Sequence, residues 1–185
     1  MSGPDQSISR DSTKTPAKKD LSFSKLLQMD KVSFHVFSPN NALHNSIIIQ
    51  PAGIRDSSLI QIGVIGNVKD AFVGDLNRDG YPEIYFVTET DSGLHNLYGY
   101  GSNKNLNLSP VLIPEIKDDK RWGAGYRGHD EYKISGDYLL RSFPVYSATD
   151  PMSKPSGGIR KLNYHLVPGI NGWILKIVEP KSKTK

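Results

Sequence analysis

The sequence predicts an all-β protein: a single antiparallel β-sandwich or open barrel with at most one or two short helical turns. Three observations predict it. Apolar residues recur mostly at every second position, the apolar segments are short, and clusters of Gly, Pro, Asn and Asp separate them. Strands of sandwiches and barrels have that length and punctuation, whereas a stable helix needs helical spacing sustained over more residues.

The elements follow in order. Val32, Phe34 and Val36 alternate with Ser33 and His35, and Ile60, Ile62 and Val64 alternate with Gln61 and Gly63. Such spacing puts one set on a buried face and the other on the opposite face. Further strands are predicted at 46–49, 70–74, 83–88, 97–100, 111–113, 131–134, 138–145, 160–167 and 173–178. Ser135-Gly136-Asp137 joins two of them at hairpin spacing, with Gly136 free to take positive φ. Helical signal is confined to 24–30, about two turns with Leu26 and Leu27 inward, and to a single turn within 115–121. Phe143, Tyr164 and Trp173 sit on predicted strands and are expected in the core.

The 185 residues suit one domain, expected over 21–179. Residues 1–20, rich in Ser, Thr, Lys, Asp and Pro, cannot bury enough apolar surface to offset ordering and read as a disordered arm; 180–185 read as a disordered basic tail. The net charge of +4 resides in those two ends, so the rest of the chain is neutral and lacks the basic face of a nucleic-acid binder. No apolar run of the length needed to cross a bilayer occurs. Cysteine is absent, which excludes disulfides and thiolate metal sites and leaves the compartment open. The first twenty residues lack the apolar stretch of a secretion signal, so the chain is either cytosolic or one from which a leader was removed.

No H-E-x-x-H, G-x-S-x-G or phosphate loop is present, and adjacent Asp130 and Glu131 would point to opposite faces of a strand, unlike a catalytic carboxylate pair. A binding protein, not an enzyme, is expected.

The clearest chemical feature is the acidic turn D-L-N-R-D-G-Y-P-E at 75–83. Asp75, Asn77 and Asp79 alternate, Gly80 allows the bend, the Tyr81 carbonyl and Glu83 follow, and this oxygen-rich set suits calcium. Predicted strands flank the turn, so it is not a helix-loop-helix site; it looks like the acidic hairpin turn of integrin-type β repeats, without a second copy in the chain. The same residues can instead cap their own turn through Asx hydrogen bonds, with Arg78 or a lysine balancing charge.

Read forward from that turn, G-D-L-N-R-D-G-Y-P-E at 74–83, G-Y-R-G-H-D-E-Y at 125–132, R-S-F-P-V-Y at 141–146 and K-P-S-G-G-I-R-K-L-N-Y-H-L-V-P-G at 154–169 resemble, in order, the periplasmic inhibitors of invertebrate-type lysozymes. The resemblance spans roughly residues 30–179. It implies a β-sandwich, a periplasmic or exported location, lysozyme as partner, and a Ser-Gly loop that enters the enzyme's cleft. Ser92 and Gly93 match that loop; the expected tyrosine is replaced by Leu94 and His95, and the imidazole can donate in a phenol's place. Alternatively His95 is an ordinary loop residue.

Arg121, Trp122, Tyr126, Arg127 and His129 have the composition of an interface and form a candidate rim, or else a loop packed back on the sandwich with Trp122 as its plug. Two functions are therefore expected: inhibition of invertebrate-type lysozyme, or a calcium-stabilised exported adhesion module that has lost inhibition.

Overall fold

The computed structural model describes residues 20–178, so the expected tail and nearly all of the expected arm lie outside the described residues. Twelve strands are present among them: β1 (Phe23–Met29), β2 (Val32–Ser38), β3 (His44–Ala52), β4 (Ile60–Ile65), β5 (Asn67–Gly74), β6 (Glu83–Glu89), β7 (His95–Ser102), β8 (Leu108–Leu112), β9 (Glu131–Ser135), β10 (Tyr138–Pro144), β11 (Ile159–Pro168) and β12 (Trp173–Ile177). One 3₁₀ turn at Ile116–Asp118 falls inside the predicted 115–121 segment. No described helix is long and apolar enough to cross a membrane.

The predicted helix at 24–30 is instead β1. Its burial alternates, with Phe23, Lys25, Leu27 and Met29 half-buried and Ser24, Leu26 and Gln28 exposed, and it pairs antiparallel with β2 from Phe23↔Ser38 to Met29↔Val32. Lys25 occupies an inward position because its ammonium reaches the edge of β5, donating to Asp70 Oδ1 at 2.7 Å and to the Ala71 carbonyl at 2.8 Å. Its aliphatic stem completes the period-2 stripe.

The strands form two sheets. The first is the meander β1-β2-β3-β4; the second has eight strands in the order β5-β6-β7-β8-β12-β11-β10-β9. Every pairing is antiparallel except β8 with β12, where the last strand fills the gap between β8 and β11. The large sheet curls until its edges approach. A Cβ on Gly74 of β5 would lie 2.6 Å from Ile134 Cδ1 of β9, so this near-closure depends on the missing side chain.

Two cores result. Val32, Phe34, Val36, Ile47, Ile49 and Val64 of the small sheet face Val68, Ala71, Ile84 and Phe86 across the sandwich. Tyr85, Leu139, Phe143, Leu162, Tyr164, Leu166 and Leu175 fill the barrel, with Trp173 packed against them, as expected for Phe143, Tyr164 and Trp173. β6 is the shared wall, and its near-continuous apolar run reflects burial on both faces. In β5 the ladder slips between Val68 and Asp70, so Val68 and Ala71, three apart, both face the sandwich core.

Candidate functional site

β6 and β7 pair to their ends, Glu89 opposite His95, which leaves residues 90–94 as the connecting loop. The loop closes on itself. Thr90 N–H donates to the Leu94 carbonyl and Gly93 N–H to the Thr90 carbonyl, both at 2.9 Å, while the Thr90 and Ser92 hydroxyls lie 2.8 Å apart. Ser92 is exposed beside Leu94, and Gly93 takes φ 76°, so the apex is small, polar and fixed.

His95 is not at that apex. As the first residue of β7 it is half-buried, with Nδ1 hydrogen-bonded to the Asp130 carbonyl and Nε2 3.5 Å from Glu89 Oε1. It ties the loop's exit to the 125–130 segment. Gly93 meets the same segment, since a Cβ there would lie 3.0 Å from His129 Cε1.

That segment is anchored by a buried ion pair. Leu139, Arg141 and Phe143 share the inward face of β10, so a guanidinium points into the barrel and requires a partner. Asp130 supplies it: Arg141 Nε donates to Asp130 Oδ1 at 2.6 Å. Tyr126 donates its hydroxyl hydrogen to Asp130 Oδ2 at 2.5 Å and accepts from Arg141 Nη2 at 3.0 Å. The guanidinium also lies over the rings of Tyr126 and Tyr132 at 5.2 and 5.5 Å. Burial pushes both phenols well above their ordinary titration range, with Asp130 adding to the shift at Tyr126, so both remain protonated.

The other rim residues divide. Arg127 is committed to the 147–150 loop, donating to the Asp150 carbonyl at 2.7 Å and the Ser147 carbonyl at 3.0 Å with its guanidinium over the Tyr146 ring. Trp122 packs half-buried against the barrel core, its carbonyl accepting from Arg160 Nη1 at 2.5 Å, while Arg121 lies 4.5 Å over its indole. Trp122 therefore plugs the barrel beside Ile174 to Ile177 of β12. Tyr126, Arg127 and His129 adjoin the 90–94 loop.

Between the two segments lies a cavity of about 450 Å³, lined among others by Leu94, His95, Lys117, Tyr126, Arg127 and Arg141. A larger one, about 670 Å³, opens beside Phe37, Asn40 and Asn67. The Asn40 amide there spans the two sheets, donating to the Val68 carbonyl at 2.9 Å and accepting from Val68 N–H at 2.8 Å, which is a structural task.

The acidic turn stands apart, between β5 and β6. Asp75 accepts from the N–H groups of Asp79 at 3.0 Å and Gly80 at 2.9 Å; Asn77 accepts from Asp79 N–H at 3.0 Å and donates to its carboxylate; Asp79 accepts from Tyr81 N–H at 2.9 Å. These are the Asx bonds weighed from the sequence. Arg78 reaches out of the turn to Asp137 at the β9–β10 hairpin, at 2.8 Å. Glu83 is fully buried, accepts from Leu76 N–H at 2.7 Å, and is pushed by burial up to about 8. Asp75, Asp79 and Glu83 can each bring an oxygen within 4.8 Å of the others, so the donor set fits a hard cation.

No family model matches the chain, and neither the curated proteins nor the solved structures contain a match.

Proposed function

We propose that the protein is a non-enzymatic, exported inhibitor of invertebrate-type lysozyme that presents the 90–94 loop to the enzyme's active-site cleft. The observation that carries this reading is the placing of the loop that bears Ser92 and Gly93 beside the 126–130 segment: His95 at the loop's exit is hydrogen-bonded to the Asp130 carbonyl, and the His129 ring fills the space a Cβ on Gly93 would need. It agrees with the ordered sequence resemblance, in which the Ser-Gly loop and the G-H-D-E-Y segment are separate motifs. A cleft-filling loop must be ordered before it binds, because freezing it on contact would consume affinity. The closed hydrogen-bond ring of residues 90–94, backed by a buried ion pair, supplies that order.

On this reading the Ser92 hydroxyl donates to a carboxylate in the cleft and Gly93 lets the backbone approach closely. His95 and Tyr126 act behind the loop as supports, with Arg127 and His129 at its flank. The neutral body offers little long-range steering, so complementarity in the cleft carries the affinity. Cell-wall clearing by invertebrate-type lysozyme, with chicken-type and goose-type enzymes alongside, tests it.

A second reading has one observation in its favour: the convergence of Asp75, Asp79 and Glu83. It makes the protein a calcium-stabilised binding module, with Asn77 and the Tyr81 carbonyl completing the set. Calorimetry on chelator-stripped protein tests it; no heat and no thermal shift at millimolar calcium would remove the metal.

A further inference from the structure

β4 is the outer strand of the four-stranded sheet, and its sequence lacks the devices that usually guard an edge. Residues 59–65 read Leu-Ile-Gln-Ile-Gly-Val-Ile, with no charge and no proline, and the β3–β4 ladder runs in unbroken register from His44↔Ile65 to Ile49↔Ile60. Its hydrogen-bonding directions can be assigned. Gly66 N–H donates to the Leu43 carbonyl, so even-numbered positions bond β3, whereas Ile65 N–H donates to Tyr98 Oη and the Ile65 carbonyl accepts from Thr88 Oγ1. Odd-numbered backbone groups therefore point away from β3. Ile65 is satisfied by those two side chains; Gln61 and Gly63 present their N–H and C=O groups at the edge. Both residues are exposed, and a Cβ on Gly63 would meet nothing within 4 Å.

We infer that β4 pairs antiparallel with β4 of a second copy of this chain, about a two-fold axis through Ile62. In that register Gln61 faces the second copy's Gly63, and Gly63 its Gln61. Each pair exchanges both N–H···O=C bonds, four across the interface. The register is self-complementary in side chains as well. Leu59, 54% exposed, meets the second copy's Ile65, and Ile65, 47% exposed, meets its Leu59, all on one face, with the Gln61 side chain over bare Gly63 between them. A second copy is favoured over an unrelated peptide because the apolar positions 59/65 and 60/64 are symmetric about Ile62 and residues 59–65 carry no charge to repel its own image. A contact confined to one strand edge and four backbone hydrogen bonds gives weak, concentration-dependent association.

Sedimentation over about 5 to 500 µM, within the micromolar-to-millimolar range of weak association, reads the proposal. The expected result is a reversible monomer–dimer equilibrium with amide exchange at Gln61 and Gly63 slowing as concentration rises. The double substitution Leu59→Lys, Ile65→Lys puts like charges opposite each other across the axis and is expected to give monomer with an unchanged unfolding transition. Leu59→Glu, Ile65→Lys puts opposite charges there and restores a salt-sensitive dimer. A monomer at every concentration, a lysine variant that still dimerises, or exchange at Gln61 and Gly63 that ignores concentration would each overturn it.

Discussion

Arg141 and Asp130 form an ion pair at 2.6 Å inside the barrel, their side chains 6% and 0% exposed. Removing one partner strands the other charge in a nonpolar setting, which typically costs about 3–5 kcal/mol. Arg141→Met and Asp130→Asn are each expected to lose stability of that order in urea unfolding, and the double variant to recover part of it. Equal, additive losses would show that the two side chains do not act as a pair.

Tyr85 is fully buried on β6 and its hydroxyl has no hydrogen-bond partner among the described residues. Burial raises its titration far above that of a free phenol, so the group stays neutral and uncompensated. Tyr85→Phe is expected to leave stability unchanged or raise it by about 1 kcal/mol. A clear drop in melting temperature would reveal an ordered water on that hydroxyl.

Glu83 titrates near 8 in the folded protein because burial disfavours its charged form. Its folded value lies above the unfolded one of about 4.3, so between them the native state holds the extra proton. The contribution is therefore complete below about pH 4 and lost as pH rises through 8. Glu83→Gln keeps the acceptor for Leu76 N–H and removes the charge, so it should be more stable than the parent at pH 9 by roughly 2–4 kcal/mol and show a flatter profile. Chemical denaturation across pH 5 to 9 without divalent cations checks both.

Gly93 holds φ 76° against the His129 ring. Gly93→Ala strains the backbone by about 1 kcal/mol and moves the apex. Inhibition should fall at least tenfold while the melting transition shifts by only a few degrees. Ser92→Ala should weaken inhibition with no effect on folding, since that side chain is exposed and its partner among the described residues is Thr90 of the same loop.

Eleven of the strands were legible, some because one face carries apolar residues at alternate positions, as in Val32, Phe34 and Val36, and others, such as β6, as short apolar runs bounded by turn residues. β1 was not, because Lys25 stands at an inward position and Leu26 and Leu27 lie side by side; only the distant Asp70 and the Ala71 carbonyl make that lysine a strand residue. The parallel β8–β12 pair, from Trp173↔Val111 to Ile174↔Leu112, depends on closure between distant segments that local periodicity does not encode. At the site, Ser92 and Gly93 were singled out by the resemblance alone, and the structure places both in the tight loop that joins β6 to β7. The place of His95 was not legible, since its partners are the Asp130 carbonyl, 35 residues on, and Glu89. Arg141 left a signal that could have been used, a cation in phase with Leu139 and Phe143.

The central claim is tested most directly by clearing of cell-wall suspensions by invertebrate-type lysozyme, titrated with the parent protein and with Ser92→Ala and Gly93→Ala. The account predicts saturable inhibition by the parent and a rightward shift for both variants, whose unfolding transitions remain cooperative. Undiminished clearing at micromolar parent protein, or equal inhibition by all three proteins, would contradict it.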